Sequence, residues 1–436
     1  MKTYTFPRGG VAFEDSAVPP RGASVTAFLP ALSVLPLVQH TGPKARAVVS
    51  PGEAVFEGML VGKGQGQGSA NVHAAVPGRV LRTVTWNMPG GRVNEALVIR
   101  MEGAFDRLGK REDDHTWKYL SPFEIQRLIG EAGIVEMEGS GHPVPDMLRA
   151  LTKEKRPLTL VARCVFDDPW LAADYALCRE RLDAVAEGAA ILARASGAAR
   201  VTAAISRREK ALSKALLEAL KGWELKASCV ITGNRYPQRN RRELEIALRS
   251  AEKGKKDQTG TFFILGPATL AAVRDAVRLR RPILDRYVAV GGSAVKTPQV
   301  LRVRIGTRIG DVFAECGGFV GKPRLIAQGS PLKGRRVLDM DEPVTKTCYA
   351  VYALLEGRER GAGAVSCIGC GECRAVCPVG LDPAGLFKRF QTRAFLESEG
   401  WLRRAAECHG CGCCEAVCPS RLPLMQSIIN LGKNDD

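Results

Sequence analysis

CIGCGECRAVCP at 367–378 and CHGCGCCEAVCP at 408–419 decide how the C-terminal part of this chain folds. Each run has the spacing C-x2-C-x2-C-x3-C-P of a [4Fe–4S] cluster loop. Three thiolates two residues apart on a tight loop can face three iron corners of one cubane. Small residues let backbone amides approach the sulfides, and Gly369, Gly371, Gly410 and Gly412 supply them. The fourth cysteine opens the next segment, and the proline behind it stops the local hydrogen-bonding pattern.

The two runs predict two [4Fe–4S] clusters with eight ligands: Cys367, Cys370, Cys373, Cys377, Cys408, Cys411, Cys414 and Cys418. In two-cluster proteins of this spacing the fourth cysteine serves the other cluster. One set is then Cys367, Cys370, Cys373 and Cys418, and the other is Cys408, Cys411, Cys414 and Cys377. Cys413 fits neither register and reads as a spare or a thiol beside a cluster. Zinc is the competing reading, but zinc sites commonly use two C-x2-4-C pairs, and two complete runs each ending in Cys-Pro go beyond that. Between the runs, after Pro383, Leu386, Phe387, Phe390, Phe395, Leu396 and Leu402 recur at helical spacing, which predicts a helical ferredoxin-like module.

The remaining five of the 14 cysteines (Cys164, Cys178, Cys229, Cys316 and Cys348) are scattered and read as small buried apolar groups. A chain of 436 residues is too long for one core. Its 45% apolar and 25% charged content is that of an ordinary globular protein. No stretch approaches the roughly 18–20 apolar residues of a membrane span. The opening MKTYTFPRGG lacks the pattern of a signal peptide, so a cytoplasmic location is expected. The net charge is +17, from 63 basic and 46 acidic residues. Two loaded clusters would lower it to roughly +13. That excess favours acidic protein partners or an anionic membrane face; the basic residues are scattered, and no nucleic-acid partner is expected.

Upstream, residues to about 104 read as short strands punctuated by Gly42, Pro43, Pro51, Gly52, Gly58, Pro77 and Gly78. This segment looks like the barrel-sandwich fold of lipoyl and biotinyl carriers, without a lysine at the hairpin tip. The Gly-rich 62–68 stretch lacks the ending of a P-loop and reads as a hairpin. Ser121, Pro122 and Glu124 announce a helix with a capping box, its stripe Ile125, Leu128, Ile129 and Ala132, its stop Gly133. Strands are then expected at 158–162, 200–205, 228–232 and 261–265, with helices at 174–195 and 209–220, an alternation that argues a mainly parallel sheet. Residues 282–319 return to a short β-rich pattern. The expected architecture is therefore multidomain α/β: a barrel-sandwich over 1–104, an α/β unit over 105–280, a β-grasp over 281–345 and the two-cluster module over 346–436.

This order of modules resembles the RnfC family of Rnf electron-transport complexes, nearly end to end. The resemblance is carried by Gln39-His40 and HAAVPG (73–78), by GSPLKG (329–334) in a soluble-ligand-binding β-grasp, and by the cysteine runs. It makes the α/β unit similar to the flavoprotein subunit of respiratory complex I. It implies a peripheral subunit on the cytoplasmic side of the inner membrane. Such a protein would take electrons from NADH through FMN and exchange them, along its clusters, with ferredoxin or a similar acidic carrier. Integral-membrane subunits of the complex would pump the ion.

Three segments depart from that pattern. The family's flavin and nucleotide loop GLGGAGFP is here EMEGSGHP (136–143): Gly139, Gly141 and Pro143 match, while Glu136 and Glu138 replace glycines. A glutamate at such a loop opposes a phosphate anion by bulk and by charge. The family's AECEPY is here ARCVFDDPW (162–170), with Arg163 in place of an acid. Its YPSGGAK is here YPQRNRR (236–242), where Tyr236, Pro237 and a basic Arg242 remain and Arg239 and Asn240 replace the glycine pair. Three changes at one pocket point to a relay or assembly subunit that no longer oxidises NADH. The opposing reading is that the new arginines re-form a site for a different anionic cofactor. A soluble flavin and iron–sulfur reductase related to cobalamin reductase is the alternative to an Rnf-type component.

Overall fold

The computed structural model describes residues 2–13, 18–88, 90–105, 114–152, 157–223, 225–253, 260–355, 363–392 and 399–432. The first large module is a barrel-sandwich. Its four-stranded antiparallel sheet runs in the order Leu32–Pro36, Arg92–Met101, Gly78–Met88, Ala54–Val55, and it faces a three-stranded sheet of Arg46–Ala47, Leu60–Lys63 and Val72–His73. The Gly-rich 62–68 stretch is the start of the turn between the antiparallel strands Leu60–Lys63 and Val72–His73, as its composition predicts.

The α/β module opens with the helix Pro122–Glu131. Ser121 Oγ accepts from the Glu124 amide at 3.3 Å, and Glu124 accepts from the Ser121 amide at 2.7 Å, so the predicted capping box is complete. Such caps contribute about 1 kcal/mol. Four parallel strands follow in the order Ala227–Thr232, Arg200–Ser206, Leu158–Cys164, Thr261–Leu265. Each begins and ends within two residues of its sequence expectation. The single helix expected over 174–195 is two helices, Ala172–Glu180 and Leu182–Ser196, broken at Arg181. The second of them crosses Pro267–Arg278 so closely that a Cβ at Gly188 would stand 1.9 Å from the Leu270 carbonyl oxygen, which admits only glycine.

The β-grasp sheet has six strands in the order Val25–Thr26, Gln299–Arg304, Asp285–Gly291, Ala350–Leu354, Leu325–Gln328, Arg335–Arg336. A helix, Ile309–Glu315, lies within the β-rich stretch expected over 282–319. Two expected boundaries move. Ala350–Leu354 pairs with Asp285–Gly291, so the β-grasp runs past 345. Residues 2–13 and Val25–Thr26, expected within the 1–104 sandwich, pair elsewhere. Val25–Thr26 edges the β-grasp sheet. Tyr4 bridges to Thr232 and Val11 to Tyr236, and the Gly10 amide donates to the Val376 carbonyl at 2.8 Å. The N-terminal segment thus ties the edge of the parallel sheet to the first cysteine loop.

The C-terminal module is helical: Glu372–Ala375, Pro383–Thr392, Glu399–Ala406, Cys413–Ala416 and Leu424–Gly432. Leu381, Leu386, Ala405, Ile428 and Leu431 form one of its small cores, and Phe387 packs with Leu422 and Leu424 in another. Phe395 and Leu396 of the predicted stripe lie outside the described residues. Among the described residues no helix is long and apolar enough to cross a membrane.

Candidate cluster sites and the adjoining cleft

Each cysteine run forms a loop that turns on glycines held at positive φ, followed by one helical turn. Gly369 and Gly371 stand at φ 71° and 77°, and Gly410 and Gly412 at 64° and 79°. An L side chain resists that conformation by roughly 1–2 kcal/mol, so the glycines are what allow each loop to turn this tightly. The two loops differ in exposure. Cys367 and Cys370 are exposed with Ile368 beside them, while Cys373, Cys377, Cys411 and Cys414 are buried and Cys408 and Cys418 half-buried.

The packing brings together cysteines from both runs. Cys377, Cys408, Cys411 and Cys414 line one cavity with Leu381, Met425 and Ile428. The Leu381 amide donates to Cys377 Sγ at 3.3 Å. Cys418 packs in a small core that holds Cys373 and Cys414 together with Phe387, Leu422 and Leu424. The residues fit a pair of thiolate-bound clusters: eight cysteines, left-handed glycine turns in both loops and apolar walls. Among the described residues no three His, Cys, Asp or Glu side chains stand close enough to grip a single metal ion. Cys413, the spare of the sequence reading, is fully buried against Cys411 and Tyr236. Of the five scattered cysteines four are buried, and Cys229 is half-buried.

A cleft of about 720 Å³ opens beside the second loop, between the sandwich, the α/β module and the β-grasp. The three departing segments all reach it, with Gly139, Ser140, Gly141, Arg163, Asp167, Asp168, Tyr236 and Arg239 on its walls. Gly139 has φ 153° and Gly141 φ 69°; Pro143 bridges to Val135 at the base of the loop. Two of the changed side chains pair with each other, and the rest pair with neighbours in the chain. Glu136 Oε1 accepts from Arg163 Nη2 at 3.0 Å, and its Oε2 accepts from the Ser140 amide at 2.6 Å and hydroxyl at 2.8 Å. Burial works against the charge of Glu136, but Arg163 and the Ser140 donors outweigh it and hold the carboxyl below its usual range. Glu138 accepts from the Thr269 amide at 2.9 Å and hydroxyl at 2.6 Å, at the N-terminus of Pro267–Arg278. Burial, with Glu136 and Asp174 nearby, raises its pKa. Arg239 donates from Nη2 to Asp174 at 3.1 Å and from its amide to Asp167 at 2.9 Å. Burial pushes the Asp167 carboxyl up to about 7.

The donors with which this loop would hold the phosphate of a flavin are therefore engaged by carboxylates of the chain itself. The residues present do not fit that group.

The cleft touches the second cysteine loop directly, a contact with no sequence signal because it joins residues far apart. Tyr236 Oη donates to the Cys411 carbonyl at 2.7 Å. Asn240 Nδ2 lies 3.0 Å from His409 Nδ1, and Lys333 Nζ donates to Asn240 Oδ1 at 2.9 Å. His409 Nε2 stands 3.0 Å from the buried Glu243 carboxylate. Beyond His409 a second groove, about 680 Å³, is lined by Arg241, Arg242, Arg249 and Lys333 among others.

Comparison with known proteins agrees with this architecture. Four domain families match: the RnfC barrel sandwich hybrid domain over residues 6–104, the Nuo51 FMN-binding domain over 129–274, the SLBB domain over 287–336 and a 4Fe-4S dicluster domain over 364–422. The C subunit of the ion-translocating oxidoreductase complex of Rhodobacter capsulatus is 33% identical over 367 residues, covering 83% of this chain and 70% of that one. The C subunit of the proton-translocating ferredoxin:NAD(+) oxidoreductase complex of Clostridium ljungdahlii is 30% identical over 384 residues, covering 87% and 83%. The fold is also similar to that of a chain of an NAD+-reducing [NiFe]-hydrogenase crystallised in the H2-reduced state, at a TM-score of 0.52 and 14% identity, over 72% of this chain and 62% of that one.

Proposed function

The chain belongs to the RnfC family of ion-translocating oxidoreductase complexes, and from that premise we propose that it works as a peripheral electron-transfer subunit with two [4Fe–4S] clusters. The ligand sets we propose are Cys367, Cys370, Cys373 and Cys418 for one cluster, and Cys408, Cys411, Cys414 and Cys377 for the other. The observation that carries the reading is the cavity at which Cys377 of the first run joins the second run's Cys408, Cys411, Cys413 and Cys414.

When bound, each cluster supplies a one-electron redox centre. The chain's own residues do the rest. Leu381, Met425 and Ile428 keep the cavity apolar, and the Leu381 amide donates to a ligand sulfur. Tyr236 fixes the second loop by holding the Cys411 carbonyl. We place the chain on the cytoplasmic face of the membrane, attached through other subunits. We further propose that an acidic carrier such as ferredoxin docks at the groove of Arg241, Arg242, Arg249 and Lys333. Glu243 and Glu245, the acids of this groove, face His409 and Arg241. The cations therefore set its field, and steering of this kind weakens with salt.

The test is anaerobic purification followed by iron and sulfide analysis and reduction with dithionite. A brown protein with about eight irons per chain, bleached by dithionite, and exchanging electrons with reduced ferredoxin at a rate that falls with ionic strength, is the expected result. Reversing Arg242 and Arg249 to glutamate should slow that exchange and leave the iron content alone. A colourless protein that takes up no iron and sulfide on reconstitution would sink the proposal.

A further inference from the structure

A tight loop with inward amides and a helix N-terminus are two places where proteins hold phosphate. In this cleft both are filled from within. Glu136 takes the amide and hydroxyl of Ser140 and the guanidinium of Arg163, at 2.6, 2.8 and 3.0 Å. Glu138 takes the amide and hydroxyl of Thr269 at the start of Pro267–Arg278, at 2.9 and 2.6 Å. Both carboxylates are buried. Of the other cations on the cleft wall, Arg239 donates to Asp174 and Arg241 to Glu245, while Arg92 and Arg335 stand outside these two phosphate cradles.

The packing leaves these carboxylates little room to swing aside. A Cβ on Gly266 would stand 2.4 Å from Glu138 Cδ, so the carboxyl lies flat against the turn that starts the helix. The loop is pinned at its base by the Val135–Pro143 bridge and the Gly141 amide, which donates to the Glu136 carbonyl at 3.0 Å.

We infer that Glu136, a built-in counter-anion, and Glu138 stand where a ligand's phosphate would sit and exclude phosphorylated flavins from this cleft. Glu136, held charged by Arg163, supplies the negative charge that the loop amides and this guanidinium would otherwise draw from a ligand, and Glu138 fills the helix start with its own acceptor oxygens. An incoming phosphate would have to displace both, or sit a few ångströms from them against a like charge, at a loss of about a hundredfold or more in affinity. The inference is separate from the cluster reading: a chain that binds FMN would overturn the one and leave the other intact.

The experiment compares FMN with riboflavin, which carries the same ring without the phosphate, by equilibrium dialysis against the cluster-loaded full chain. The wild-type protein is expected to purify without flavin and to bind FMN no tighter than riboflavin. The double variant E136G/E138G frees Ser140, Arg163 and Thr269, and is expected to bind FMN at least about tenfold tighter than riboflavin, with inorganic phosphate competing. Unchanged cluster absorption reports that the variant has folded. Should that absorption be lost, E136Q, which keeps the side chain's shape and removes its charge, decides the matter by a smaller gain of the same sign. Stoichiometric FMN in the wild type, held by its phosphate, overturns the inference. So does a folded variant in which FMN and riboflavin remain equal.

Discussion

Replacing Cys377 by serine tests the crossed ligand sets, because the two loops differ in what solvent can reach. Cys377 sits in the small core with Leu381, Leu386, Ala405, Ile428 and Leu431, on the wall it shares with Cys408, Cys411 and Cys414. Cys367 and Cys370 lie on an open loop whose Ile368 is 68% exposed. If Cys377 serves the second loop's cluster, the variant should fall from about eight to about four irons per chain and lose about half the reduced-state spin count. The cluster left behind would be the one on the open loop. A chelator reaches an open loop with little prior unfolding, whereas the buried site needs a local opening. Each 1.4 kcal/mol of opening free energy slows stripping about tenfold, so the surviving cluster of Cys377→Ser should be lost at least about tenfold faster than that of Cys418→Ser. The assay is anaerobic electron paramagnetic resonance with iron release into a chromogenic chelator. A Cys377→Ser protein that keeps a chelator-resistant cluster refutes the crossed arrangement, and alanine in place of serine removes any ligation by the serine oxygen.

Three further outcomes are expected. Tyr236→Phe leaves the Cys411 carbonyl without its 2.7 Å donor and should lower stability by about 1–3 kcal/mol; an unchanged thermal midpoint would count against a structural role for that hydroxyl. Gly412→Ala forces a side chain to φ 79°, with its Cβ 2.9 Å from the Leu332 carbonyl oxygen, and should cost the second loop its cluster, so wild-type iron content would contradict it. Lys346 is buried with its ammonium between the Asn71 and Gly133 carbonyls at 2.7 and 2.8 Å, and burial lowers its pKa from 10.5 to about 7. Between those values the unfolded chain holds a proton that the folded chain has released. The penalty for burying the charge is fully present below about pH 7 and gone above the ordinary lysine value, so stability rises with pH across that window by up to about 1.4 kcal/mol per unit. In Lys346→Met that slope is absent: the wild-type-minus-variant difference in denaturation midpoint should grow with pH, and a flat difference would show that the buried ammonium does not titrate there.

The sequence made the local chemistry legible and left the long-range contacts hidden. Cysteine spacing and the Ser121–Glu124 capping box each act within a few residues, so their elements stand close to where the pattern puts them. The helix break at Arg181 carries no proline or glycine; the residue turns out of line (φ −125°, ψ 37°) while its guanidinium pairs with Asp275 at 2.6 Å. The helix Ile309–Glu315 had a signal, with Ile309, Val312 and Phe313 buried on one face and Asp311 in the first turn, but flanking glycines and strands masked so short a segment. Pairings of two residues, such as Val25–Thr26 on Gln299–Arg304, or of one, such as Val11 on Tyr236, leave no periodicity to read. The links from Tyr236 to Cys411 and from Asn240 to His409 are of the same kind, and they join the cleft to the cluster module.

The departing segments show how a reading by position undercounts coupling. Taken one at a time, Glu136 in place of glycine, Arg163 in place of an acid and Arg239 in place of glycine are three separate injuries to an anion pocket. Folded together, the first two are a single buried ion pair at 3.0 Å, with side-chain exposures of 9% and 13%. Arg239 is paired with Asp174, whose side chain is 2% exposed. Removing one partner of a buried pair costs about 3–5 kcal/mol because the other charge is stranded. Glu136 without Arg163, or Arg163 without Glu136, would therefore be a worse structure than either glycine and acid together or the exchanged pair. This yields a double-mutant cycle: Glu136→Gly and Arg163→Glu should each destabilise the protein, while the double variant recovers most of the loss. Additive costs in that cycle would mean that the pair is incidental, and that these two changes are independent after all.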